Sequence, residues 1–104
     1  MGAVKPFKMP DSSFLKQVRK LAADSNKVVI TDHAAKRMRQ RKVSLPQVLA
    51  CLLRGTISEP VHQDMHGNWK ATLAHRHAGE DIRVAVAITE LEDGSKAVVI
   101  TVMT

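Results

Sequence analysis

A chain of 104 residues has room for one hydrophobic core and excludes a two-domain machine. Its 16 Lys and Arg against 10 Asp and Glu give a formal charge of +6, so its field draws polyanions, with nucleic acid the first candidate. One cysteine excludes an intrachain disulfide, and the longest uninterrupted apolar run, Val48 to Leu53, is far too short to span a bilayer.

No signal-peptide pattern opens the chain, and Pro6 stands where a myristoylation site would carry Ser or Thr; a cytoplasmic location without membrane attachment is expected. Residues 1–10 hold Lys5, Pro6, Lys8 and Pro10 with little periodicity, and read as a flexible arm before a single α+β domain over 11–104. Asp11 or Ser12 can cap a first helix, in which Phe14, Val18, Leu21 and Ala22 share an apolar face and Lys16, Arg19 and Lys20 a basic one. That basic side reads first as a solvated surface and second as a contact for nucleic acid. Asp24, Ser25 and Asn26 then signal a turn into the apolar triplet Val28 to Ile30.

Thr31 and Asp32 follow the triplet with side-chain oxygens able to accept from first-turn N–H groups, so a second helix starts there. On it His33, Arg37 and Arg41 recur every fourth residue in one row, beside the apolar stripe of Ala34, Ala35 and Met38. An imidazole moves protons near neutral pH and Arg forks match phosphate oxygens, the pairing that phosphate chemistry needs. A plain surface helix with solvated Arg carries the same pattern. Ser44 is an N-cap for a third helix with Pro46 in its first turn. Leu45, Val48, Leu49 and Leu52 form its buried stripe, Cys51 falls on the rim, and Gly55 supplies a left-handed stop.

From Thr56 the apolar period changes to two, and turns recur at His66-Gly67-Asn68, Ala78 to Asp81 and Glu92 to Ser95. The segments between, Ile57 to Asp64, Trp69 to His77, Ile82 to Leu91 and Lys96 to Met103, predict a four-stranded antiparallel meander. Ile82, Val84, Val86 and Ile88 share one face of it, as do Val98, Ile100 and Val102, for helices to cover. Arg83 and Thr101 alternate against those sets and point to the opposite side.

The run from Ile30 to Ser44 resembles the His-Ala-x-x-Arg-Met-x-x-Arg signature of domain-of-unknown-function family 4258, in His33-Ala34, Arg37-Met38 and Arg41. The likeness continues through the next helix to the strand ending Val99-Ile100-Thr101-Val102 and leaves the N-terminal segment unmatched. That family is similar to the RelE, barnase and EndoU group of small metal-independent ribonucleases, many of them toxins. The resemblance implies an α+β fold with N-terminal helices on one face of the four-stranded meander. It also implies a catalytic set of His33, Arg37, Arg83 and Thr101 and, more loosely, Lys70 at the nucleic acid, where Arg41, His75, Arg76 and His77 are further candidates. Its implied partners are RNA, free or on a ribosome, and an acidic antitoxin or other protein.

The expected activity is RNA transesterification. His33 takes the proton of a ribose 2′-OH, Arg37, Arg83 and Arg41 offset the charge of the transition state, and His75 or His77 is the candidate donor to the leaving oxygen. A non-catalytic basic module, or a protein-interaction regulator of a mobile element, explains the charge equally well. His75 and His77 project to the same side of a strand, with His62 and His66 upstream, but two imidazoles are too thin a set for zinc, and neither metal nor cofactor is expected. Trp69 is one of only three aromatics, which argues against an RNA surface built on stacked bases.

Overall fold

The computed structural model describes residues 9–91 and 94–104. Most of the expected arm, and Glu92 and Asp93 of the last turn, lie outside the described residues. The first helix, α1 (Asp11–Ala22), buries Phe14, Val18, Leu21 and Ala22, the face its 3.6-residue period selects. Neither Asp11 nor Ser12 caps it, since Pro10 holds the N-cap position. The Asp11 carboxylate instead accepts from the Val61 N–H at 3.2 Å, tying the helix start to a strand 50 residues away.

A short 3-10 turn, Ser25–Lys27, leads to β1 (Val28–Ile30), then α2 (Asp32–Arg41) and α3 (Leu45–Arg54). Four longer strands follow: β2 (Thr56–Gln63), β3 (Trp69–His77), β4 (Glu80–Leu91) and β5 (Gly94–Met103). Among the described residues the sheet has five strands in the order β1-β5-β4-β3-β2. The expected four-stranded antiparallel meander is therefore incomplete. The triplet Val28–Ile30 pairs in parallel with Ala97–Val99, which makes the sheet mixed. A parallel partner must come through a crossover from elsewhere in the chain, so no hairpin signal announces it.

Helices cover one face of this sheet. Leu73 of β3, Ile82, Val84 and Val86 of β4, and Ala97, Val99 and Val102 of β5 are fully buried against Phe14, Val18, Val48 and Leu52. In β5 the inward set is not the expected Val98, Ile100 and Val102. A bulge is the reason: Val99 pairs with Val86 and Thr101 with Ala85, leaving Ile100 extra, so the inward parity changes from odd to even along the strand.

Two features of α3 also differ from expectation. Its buried side chains are Val48, Cys51 and Leu52, while Leu45 is 45% exposed. Cys51 faces β3 and β4, its thiol donating to the Leu73 carbonyl at 3.5 Å, and burial pushes that thiol up to about 12. Gly55 has extended rather than left-handed geometry (φ −69°, ψ 165°). Glycine is needed there because a Cβ would collide with the Cys51 carbonyl and lie 3.0 Å from that of Ala74. The left-handed stop falls instead on Lys42, after α2 (φ 56°). Among the described residues no helix is long and apolar enough to cross a membrane.

Candidate functional site

The construction of the site starts at Thr31. Its hydroxyl oxygen accepts from the Ala34 N–H at 3.1 Å, the N-cap bond its position promises. The same hydroxyl donates in a fork to the carbonyls of Val99, at 2.9 Å, and Ile100, at 3.2 Å, while the Thr31 N–H also reaches the Val99 carbonyl at 3.2 Å. One residue thus starts α2 and clasps the β5 bulge. His33 stands in the first turn of the helix so anchored, and Thr101 immediately follows the clasped pair of carbonyls. As a cap, Thr31 is evident from sequence; as the residue joining His33 to Thr101 it is not, because its second partner lies 68 residues downstream.

His33 and Arg41 are exposed and Arg37 is half-buried, its guanidinium 3.5 Å from Gln40 Oε1. Ala34 is the fully buried residue of α2, with Met38 packed beside the core. The expected row is therefore present at the helix border, although its last member, Arg41, ends the helix.

Cross-strand pairing decides which strand residues share the uncovered face. Arg83 pairs with Ala74 and Met103, Thr101 with Ala85, Lys70 with Ala87, and Arg76 with Asp81, all on the side opposite the helices. Arg83 and Thr101 are diagonal neighbours across β4 and β5. Arg76 and Asp81 form an exposed ion pair at 3.7 Å. A hollow of about 330 Å³ beside Arg83 is lined also by Thr56, Ser58, His75 and Arg76.

His75 borders that hollow from the end of β3, but neither it nor His77 shares the face of Arg83. Their rings lie 6.3 Å apart, on one side of β3 as the spacing requires, but His75 pairs with Ile82 and so takes the helix-covered side of the sheet. Two strand spacings, about 10 Å, also separate β3 from β5. Neither imidazole therefore stands opposite His33 across Thr101 as a proton donor would.

Arg19, read above as part of a basic surface, is half-buried and donates to the Gly55 carbonyl, joining α1 to the end of α3. At the β2–β3 turn, Asp64 Oδ1 accepts from the N–H groups of His66, at 2.9 Å, and Asn68, at 3.0 Å. Partial desolvation acts to raise the Asp64 carboxyl, but the Asn68 and His66 N–H groups, with the charges of His66 and Lys70, outweigh it and hold it below its usual range. Among the described residues no three His, Cys, Asp or Glu side chains converge as metal ligands.

Helices α1 and α3 on one face of a mixed five-stranded sheet, with the polar α2 clasped to β5 and cations on the uncovered face, define a small basic α+β domain. The family described as domain of unknown function DUF4258 matches residues 30–104, from the end of β1 through β5, and the chain belongs to that family. No curated protein matches the chain, and no solved structure does.

Proposed function

We propose that this domain is a metal-independent endoribonuclease of the RelE and barnase kind that cleaves RNA across the uncovered face of its sheet. The observation that carries the reading is the Thr31 clasp, which ties the helix bearing His33 to the strand bearing Thr101, one strand from Arg83. His33 takes the proton from a ribose 2′-OH. The 2′-oxygen then forms a bond to the adjacent phosphorus as the bond to the 5′-oxygen breaks, leaving a 2′,3′-cyclic phosphate and a 5′-hydroxyl. Arg83 and Arg37 offset the added negative charge, and the Thr101 hydroxyl donates to a phosphate oxygen. With His75 and His77 on the other side of the sheet, the departing oxygen takes its proton from water, and the hydroxide so formed recovers the proton held by His33. A positioned general acid contributes about 10²–10⁴-fold, so turnover by this route is slow. Arg41, Lys70 and Arg76 hold neighbouring phosphates, and an acidic antitoxin would bind the same cations.

The test is cleavage of end-labelled RNA in EDTA by the wild-type protein and by His33→Ala at matched thermal stability. Cyclic phosphate ends that disappear in the variant support the reading, and metal-free cutting of pure DNA, which lacks the attacking hydroxyl, defeats it. The side taken by His75 favours a second reading, a binding-only module, for which RNA is retained in a salt-dependent manner and stays intact.

A further inference from the structure

A second hollow on the uncovered face, of about 520 Å³, contains none of the proposed catalytic residues and shares with the reading above only Lys70. Its floor is apolar: Ala87 of β4, 3% exposed, with Val98 and Ile100 of β5. Its border is cationic or titratable: Lys70 and His62, directly paired across β3 and β2, and His66 on the turn between those strands. The His62 ring is oriented by Nδ1, which lies 3.0 Å from the Pro60 carbonyl and donates to it. Among the described residues Asp64 is the one carboxylate lining the hollow, and its Oδ1 is engaged by the turn's own N–H groups. Lys70 and Arg83 lie on the same face, four residues apart along paired strands, or about 13 Å.

An apolar floor two strands wide beside three nitrogen donors suits a ligand with a flat, weakly polar part and an anionic part. Joined to the position of Arg83, that chemistry is a nucleotide of an unpaired strand, because the bases of a duplex are not free to lie on a protein floor. We propose that this hollow is a subsite for a nucleotide flanking the scissile phosphate of single-stranded RNA, its base on Ala87, Val98 and Ile100 and its phosphate at Lys70, His62 and His66. The proposal rests on the ribonuclease reading for its choice of substrate.

The experiment is fluorescence anisotropy with a short 2′-O-methyl oligoribonucleotide, which has no attacking hydroxyl and is bound without being cut. The double variant His62→Glu/His66→Glu is compared with wild type and with Lys16→Glu, an exposed α1 change that alters the charge at neutral pH by the same amount. His62 and His66 are exposed, so both variants are expected to fold. The double variant should bind about tenfold more weakly and Lys16→Glu less than about threefold, since local contacts outweigh screened charge at a distance. Equal losses in the two variants overturn the subsite. An oligonucleotide with abasic sites, bound as tightly as the intact one, overturns the seating of the base. Wild-type binding without cleavage of the matching unmodified RNA would defeat the ribonuclease reading and leave the subsite standing, whereas no wild-type binding at all overturns both.

Discussion

The helices α2 and α3 are both ten residues long and follow one another directly, yet they are held by different forces. α3 buries Val48, Cys51 and Leu52 completely and carries a full capping box between Ser44 and Gln47, so burial fixes it against β3 and β4. α2 buries only Ala34 completely, and its sequence is dominated by cations. What fixes α2 is the hydroxyl of Thr31, shared between its own first turn and the β5 bulge. The helix that stabilises the domain is thus not the helix that bears the candidate site, and damage to one should be separable from damage to the other.

The sharpest way to break the comparison is Leu52→Ala, which empties a fully buried position in α3. We expect a loss of about 2–5 kcal/mol in urea unfolding, with cleavage per folded molecule unchanged. A pH titration sharpens the same side. Burial raises the Cys51 thiol from its ordinary 9.0 to about 12, so between those values the unfolded chain releases a proton that the folded chain keeps. Stability is whole below about pH 9 and falls by about 1 kcal/mol per pH unit as the pH rises towards 12, a slope that Cys51→Ala should remove.

Thr31→Val keeps the shape but strands the Ala34 N–H and removes the hydroxyl from the Val99 and Ile100 carbonyls, of which only Val99 keeps the Thr31 N–H. A loss of about 1–3 kcal/mol is expected, together with a fall in RNA cleavage by the folded protein; full activity would sever the link between the clasp and the site. The smallest effect is a gain. Lys42 ends α2 in left-handed geometry that glycine adopts without strain, so Lys42→Gly should raise stability by about 1 kcal/mol in thermal unfolding without altering activity.

Caps and faces were legible because they rest on residues close in sequence. Thr31 and Ser44 start their helices as expected, and the alternation of Ile82, Val84, Val86 and Ile88 names the covered side of β4. What was not legible depends on distant partners. A triplet such as Val28–Ile30 becomes a strand only when β5 is beside it, and a bulge leaves no mark on an unbroken run of β-formers such as Ala97 to Val102. The bulge also explains how Thr101 reaches the expected side although Val98 and Ile100, expected on the other, lie there with it. The rim reading of Cys51 failed because the helix stripe is wider than a strict count of apolar positions, taking in the thiol that faces β3 and β4. The cationic row was legible as a pattern, but the side taken by His75 was decided by strand pairing with Ile82.

The parallel pairing of β1 with β5 has a temporal consequence. α2 can form its first turn alone, but Thr31 finds the Val99 and Ile100 carbonyls, 68 and 69 residues downstream, only after these have been made and have joined the sheet. Closing so long a loop is slow relative to local helix and hairpin formation. During synthesis His33 therefore exists for some time on a helix with no fixed relation to Arg83 or Thr101, and the two sides of the candidate site come together only once β5 has docked.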